Sequence, residues 1–451
     1  MNRWNQIRYP ISILKPIKGL DSGLEENLKS FMRIEYPDFE ILFSVAEAND
    51  PCLPVIERVR ALYPNVKTTL IIGDQKITAN PKVNNMILSY EKARHDWILI
   101  SDSNVRVPRN YLSQLSQLIT KKTGVISGVV CGIHPKGLGG ALEAAYLNTF
   151  YIRFVRLAMH FGKPCVIGKS MLFKKSVADV FGGLKTFGLY LAEDYMFGEA
   201  VRKIGLSVQI MPFPVEQHIG NYSFMDFWHR HLRWGRIRRA QAFFATLLEP
   251  LICSYIITLL FAFSYLKSVS SLSNTCVFSI HTAIWFGNEY FMFATPRVTA
   301  KLKNILYAFI RELVYIPLWL VMISGNSVFW RGQTIRVASG GMISNDFVTG
   351  RSSLWKNLIQ QIKTFFGEWR QVLIRLKAKM MRMIGGIGKS QATLKAASVQ
   401  DWLATTGTDF VRIFDLPKIL HATPIDFHLN GRELSRNLEK STQQPYPGIK
   451  I

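Results

Sequence analysis

The sequence predicts an α/β domain joined to membrane-spanning helices. Three observations predict it. Strand-like and helix-like runs alternate over residues 9–220, an order that argues for a parallel sheet with helices on both faces. From about Pro250, three long apolar runs follow one another. The 451-residue chain is 48% hydrophobic with a mean hydropathy of +0.11, high for a purely soluble protein.

The elements run as follows. Ile11–Leu14 is a short β-rich run and Leu24–Met32 has helical spacing. Phe39–Val45 (FEILFSV) reads as a buried strand, and Val55–Leu62 as a helix ending near Pro64. Val66–Ile72 is a strand, Asn84–Ala93 a helix and Trp97–Ile100 the fourth strand. That strand ends in Ser101-Asp102-Ser103-Asn104. Asp, Ser and Asn favour turns, but an acid at the carboxyl end of a central strand also lies where open α/β sheets bind ligands. Neither GxGxxG nor GxxxxGK[ST] occurs, so a bound nucleotide must be held another way.

Leu251–Leu266 has no charge, Thr275–Ala294 has one acid (Glu289), and Ile305–Ile323 is apolar except for Arg311 and Glu312. Each approaches the roughly 20 residues needed to cross a bilayer. The alternative is three buried core helices. Adjacent Arg311 and Glu312 do not share one helical face, so at membrane depth each requires a partner or a polar cavity. Between the halves, Phe227–Ala240 (FWHRHLRWGRIRRA) is dense in Arg and aromatics. It reads as a solvated basic helix or as an interfacial segment whose Arg meet lipid headgroups or a pyrophosphate. The organisation expected is therefore an α/β domain over 1–225, an interfacial segment over 226–249, about three membrane helices over 250–345, and an extension over 346–451 with a basic amphipathic helix pattern.

The formal net charge of +24 favours anionic partners: nucleic acid, acidic lipid headgroups or phosphorylated substrates. The basic residues cluster near apolar helices and no RNA or DNA module is recognisable, which favours lipid over nucleic acid. The five Cys are irregularly spaced with no CxxC pair, so neither a zinc site nor a disulfide framework is implied. The N-terminal stretch has no apolar segment of signal-peptide length. Either no membrane anchor precedes the first strand, or the start lies downstream of one.

Three acidic sites stand at the ends of apolar runs: Asp50, Asp102 and Glu193-Asp194. Singly each has a bland reading, and helix capping explains Glu193-Asp194 alone. Together they suit glycosyl transfer from a nucleotide sugar. Asp50 can accept hydrogen bonds from a base or ribose. Asp102 can hold Mg²⁺ or Mn²⁺ against a diphosphate, since these ions need only one or two protein carboxylates. Asp194 can take the proton of the acceptor hydroxyl. A single displacement with one base inverts the anomeric centre.

These residues resemble glycosyltransferase family 21, the ceramide glucosyltransferases, a GT-A (nucleotide-diphospho-sugar transferase-like) family with a D…D…D…(Q/R)xxRW pattern. Here it reads Asp50, Asp102, Asp194, then Arg230-His231-Leu232-Arg233-Trp234. SILKPIKGLD, NPKVNN, KPCVIGKSMLFKK, LAEDY and the stretch FIRELVYIPLWLVMISGNSVFWRGQTIRVASGG carry the likeness over roughly residues 9–342. The resemblance implies a UDP-glucose donor, a divalent metal (Mg²⁺ or Mn²⁺), and β-linked transfer to the primary hydroxyl of ceramide. It also implies a cytosol-facing catalytic domain on an integral membrane protein, and the bacterial-type GKSMLF block points to a bacterial inner membrane. Carried over, Asp50 and Lys82 contact the donor and Asp102 lies at the donor-metal site. Asp194 is the base, and Arg230, Arg233 and Trp234 bind diphosphate or acceptor. The chain departs from the pattern in lacking the usual preceding anchor helix and in placing Tyr151 where animal members carry His. It also has Asn104 in place of the second acid of a strict DxD, which weakens the expected metal affinity.

Competing readings are a related membrane glycosyltransferase with another sugar (galactose or N-acetylglucosamine) or another lipid acceptor (diacylglycerol, a hopanoid), a polysaccharide synthase, and a non-catalytic scaffold. A synthase needs more membrane helices than three, and retention of all three Asp sites argues against a scaffold.

Overall fold

The computed structural model describes residues 8–160, 165–269, 272–293, 302–330 and 333–344. The amphipathic pattern expected beyond 346 lies outside the described residues. In chain order the elements are β1 (Ile11–Ile17), α1 (Leu24–Met32), β2 (Phe39–Val45), α2 (Leu53–Leu62), β3 (Thr68–Ile72), α3 (Pro81–Lys92), β4 (Trp97–Ser101), β5 (Val105–Arg106), α4 (Tyr111–Ser116), β6 (Thr123–Ser127) and β7 (Val130–Lys136). Then come α5 (Gly137–Ala145), which runs through a π-helical stretch (Tyr146–Tyr151) into α6 (Ile152–His160), β8 (Ser170–Lys174), α7 (Lys175–Val180), α8 (Leu184–Phe187), α9 (Glu193–Lys203), β9 (Ser207–Ile210) and β10 (Val215–Asn221). The last are α10 (Phe224–Gln241), α11 (Phe243–Cys253), α12 (Tyr255–Val269), α13 (Asn274–Phe293), α14 (Leu302–Ser324), β11 (Ser327–Trp330), β12 (Gln333–Val337) and β13 (Ile343–Ser344).

The main sheet has the order β3-β2-β1-β4-β8-β6-β9. β1 to β4 are parallel as expected, with Ile11 opposite both Phe39 and Trp97. The all-parallel expectation fails at β8, which is antiparallel to both β4 and β6. After β4 the chain passes through β5 and α4, re-enters the sheet at β6, leaves again through β7 and α5–α6, and returns at β8 from the opposite end. Strand faces alternate between two cores. Ile11, Ile13, Ile41, Phe43, Trp97 and Leu99 pack on one side, whereas Leu14, Leu42, Ile98 and Ile100 pack on the other. Burial on both faces explains why WILI is uniformly apolar. The chain moves outward from β1 to β3 and then back to β4 on β1's other side. The carboxyl ends of β1 and β4 are therefore a topological switch point.

A second sheet, β5-β10-β7, carries α5, and α10 packs against α5, α14 and the third sheet, β11-β12-β13. α10 begins with a capping box: the Ser223 side chain accepts from the Asp226 N–H, and the Asp226 carboxylate accepts from the Ser223 N–H at 2.9 Å. The basic segment of α10 is not a solvated face. Phe227, His231 and Gly235 are buried toward α5 and α14, and Ile237 packs with Val328 of β11 and Val337 of β12.

The apolar half differs from three simple spans. Among the described residues, one helix, Asn304–Ser324, is long and apolar enough to cross a membrane, and Tyr255–Leu266 is a shorter apolar helix. The 251–266 run breaks at Ser254, whose extended backbone separates α11 from α12. The new helix start is met by Glu312, which accepts from the Tyr255 N–H at 3.1 Å. Arg311 lies 3.7 Å from Glu289 and pairs with Glu312 as well, and Glu289 also pairs with Arg153 of α6. The partners that these charges required are thus supplied by neighbouring helices.

α5 and α10 meet at Gly139, where a Cβ would collide with the Ser223 carbonyl. Gly139→Ala is expected to lower stability by about 1–3 kcal/mol, the usual cost of forced overpacking. A fall in melting temperature of the detergent-solubilised protein checks this, and an unchanged melting point would rule out the close approach.

Candidate active site

At the switch point, β4 ends at Ser101 and delivers Asp102. Its carboxylate lies 3.0 Å from the Lys82 ammonium and 3.6 Å from that of Lys169. Burial opposes its ionisation, yet Lys82, Lys169 and Lys15 hold its pKa down at about 2. Lys15 is fully buried in β1. Its Nζ donates to the Asp102 carbonyl at 2.6 Å and lies 3.7 Å over the Phe31 ring. Burial pulls Lys15 down to about 7, against the attraction of Asp102 and Asp21.

Lys82 is placed by the start of α3. Asn80 caps that helix, its side-chain oxygen accepting from the Lys82 N–H at 2.9 Å, and Pro81 opens the first turn. Lys82 Nζ reaches Asp102 (3.0 Å), Glu193 (3.1 Å) and the Gly168 carbonyl (3.1 Å). An ammonium has three N–H donors, so protein acceptors satisfy all of them. The acid that ends β4 and the acid pair that opens α9 therefore share one cation.

Asp194 accepts from the Gly168 N–H at 2.5 Å and the Tyr195 N–H at 2.8 Å. Burial, with Glu193 beside it, raises its pKa to about 6; Lys82 and the two N–H groups pull the other way. Gly168 has no spare room: a Cβ would stand 2.9 Å from the Asp194 carboxylate and 3.0 Å from Lys82 Nζ.

Asp50 is buried at the loop after β2. It accepts from the Gly19 N–H (3.0 Å to each oxygen) and from the Cys52 N–H (2.9 Å), tying together the loops that follow β1 and β2. Of the basic–aromatic motif, Arg230 and Trp234 come together, the guanidinium 4.3 Å over the indole. Arg230 is close enough for its charge to act on Asp102 and Lys169. Arg233 points elsewhere, 5.9 Å over Trp330 of β11. Tyr151, partly buried, stacks on Trp234 at 6.4 Å and lies near Asp194.

Sequence reasoning missed three residues. Lys169 Nζ donates to Asn104 Oδ1 at 3.1 Å while facing Asp102. Lys15 signals itself only as a lysine in an apolar strand. Glu143, fully buried on α5, lies 2.9 Å from Arg230 Nε and 2.7 Å from His231 Nε2. It is the sole acid in an apolar helix.

Among the described residues, no group of three His, Cys, Asp or Glu side chains converges as a metal site. The oxygen donors of Asp102 and Asn104 nevertheless converge on one cation, Lys169 Nζ. That incomplete all-oxygen set fits Mg²⁺ or Mn²⁺ held jointly with a diphosphate, which needs only one or two carboxylates.

Comparison with known proteins follows the same lines. Ceramide glucosyltransferase 3 of Caenorhabditis elegans is 29% identical over 339 residues, 74% of each chain. The ceramide glucosyltransferase of Komagataella phaffii is 26% identical over 425 residues, covering 72% of this chain and 82% of its own. Among solved structures, the mannosyltransferase PcManGT from Pyrobaculum calidifontis in complex with GDP-Man and Mn²⁺ is 14% identical with a TM-score of 0.41, covering 68% of this chain and 88% of its own. The family model described as Glycosyl transferase family 21 matches residues 2–343, from the first strand through the apolar helices. The chain belongs to glycosyl transferase family 21.

Proposed function

We propose that this glycosyltransferase moves glucose from UDP-glucose to the primary hydroxyl of ceramide, with inversion, at the cytosolic face of a membrane. One observation carries the reading: Lys82 joins Asp102 and Glu193, so the diphosphate-side acid and the acid pair containing the base form one cluster.

The acceptor hydroxyl gives its proton to Asp194 as its oxygen attacks the anomeric carbon. The bond from that carbon to the diphosphate oxygen breaks, and UDP leaves with the electron pair. Lys169 and Arg230 face the developing negative charge. A divalent ion at Asp102 and Asn104, when bound, supplies further charge neutralisation. Asp50 holds the loop after β1 in place on the nucleoside side, and Trp234 with Tyr151 forms an aromatic wall near the base. Exposed apolar side chains on α12, α13 and α14, among them Leu260, Phe261, Ile284, Leu306 and Leu320, face lipid. α10 then lies at the level where a lipid hydroxyl meets the site.

A membrane-fraction assay with labelled UDP-glucose tests the reading, using ceramide and diacylglycerol as alternative acceptors. Label is expected in a ceramide product, and Asp194→Asn should reduce transfer by at least about 100-fold. Transfer to diacylglycerol alone, or to neither lipid, would overturn the acceptor assignment.

The pH profile follows from Asp194. It accepts a proton only when ionised, so kcat/KM is expected to rise as pH increases through about 6 and to fall away below it. Glu193→Gln removes a like charge and should shift this acid limb to lower pH. A limb that stays in place would assign it to another group.

A further inference from the structure

The family motif supplies Arg230 but does not say what aims it. We propose that Glu143 is the positioning residue for Arg230, fixing its guanidinium toward the diphosphate site. This rests on the reading of Arg230 as a donor-diphosphate contact.

Glu143 is 0% exposed on α5, and both of its oxygens face α10. One lies 2.9 Å from Arg230 Nε, and the other is 2.7 Å from His231 Nε2. Burial lowers the His231 pKa, so a neutral imidazole donates to the carboxylate from Nε2. The His231 ring is itself wedged between Tyr146 (4.2 Å, edge-on) and Phe227 (4.2 Å). Glu143 is therefore held from the far side by a buried, closely packed ring.

Glu143 holds the Nε corner of Arg230 by ion pairing at 2.9 Å, without an aligned hydrogen bond between the two atoms, and Trp234 covers one face of the guanidinium at 4.3 Å. Among the described residues, the outer Nη edge makes one long contact, to the Tyr222 hydroxyl at 3.4 Å. That edge is the one which binds phosphate oxygens in a two-pronged manner. Within reach of its charge lie Asp102 and Lys169, the groups at the end of β4. A carboxylate in the dry interior that served packing alone would be replaceable by an apolar side chain. This one sits where it can set the direction of a cation.

The experiment is UDP binding by calorimetry to the full-length, detergent-solubilised chain, with melting temperatures alongside. Wild type, Glu143→Gln, Glu143→Asp, Arg230→Gln and the Glu143→Gln/Arg230→Gln double variant are compared. Glu143→Gln is expected to weaken UDP binding roughly tenfold, within the range of coupling between contacting charges. The double variant should bind no more weakly than Arg230→Gln alone. Glu143→Asp, which keeps the charge, should recover part of the affinity and serves if the glutamine variant does not fold. Wild-type UDP affinity in a folded Glu143 variant overturns the assignment, even if its melting point falls. So does full additivity of the two single losses. A wild type that binds UDP yet moves no glucose to ceramide overturns the acceptor reading and leaves the role of Glu143 to be decided by the binding data. A wild type that binds no UDP overturns both.

Discussion

The site depends on one ammonium group that is largely shielded from water, the Lys82 side chain being 17% exposed. Lys82 lies in a part of the molecule where an unpaired charge would cost several kcal/mol, so it must find acceptors for all three of its N–H bonds. It takes them from three separate segments: the end of β4, the loop before β8, and the first turn of α9. The lysine therefore specifies which strand ends and which helix start must meet. Gly168 shows how tightly that requirement is drawn, because its lack of a side chain lets the loop close over both Lys82 and Asp194.

The same logic recurs away from the sheet, toward the apolar helices. Glu143 joins α5 to α10, Arg238 pairs with Glu249 of α11 at 3.1 Å, and Arg153 reaches Glu289 of α13. Each buried charge is met by an opposite one from another element. Buried pairs of this kind contribute little net stability but penalise wrong arrangements heavily, since a shifted helix strands an ion. These pairs match α5 to α10, α10 to α11 and α6 to α13 by charge.

Much of this was legible in the sequence because its signals are local. The strands at Phe39–Val45 and Trp97–Ile100 are runs of β-branched and apolar residues between turn signals, and the helix at 24–32 has unbroken amphipathic spacing. Asp102 and the Glu193-Asp194 pair announced themselves as acids at the ends of such runs. The antiparallel β8 could not be read, because strand direction depends on where a long excursion re-enters the sheet. The break at Ser254 was hidden in an uncharged run: the Glu312 that stabilises the new helix start lies 58 residues further along the chain. Lys15, Glu143 and Lys169 carry no local motif. A lysine in an apolar strand or a lone glutamate in an apolar helix is conspicuous, but its partner is distant in sequence and only the fold identifies it.

Asp102 and Asp194 show how neighbouring charges give two carboxylates different proton affinities. Both are near Lys82, and burial pushes both toward the neutral form. Asp102 has Lys169 and Lys15 in addition, and is held ionised with a pKa of about 2. Asp194 has Glu193 beside it instead and is raised to about 6. An acid that must remain an anion beside a diphosphate or a metal should give up its proton far below neutrality. An acid that must receive a proton during reaction needs a pKa close to the working pH, where it is ionised yet still basic. Exchanging their surroundings would exchange their uses. Two identical side chains acquire distinct proton affinities through the sign of the third charge next to each.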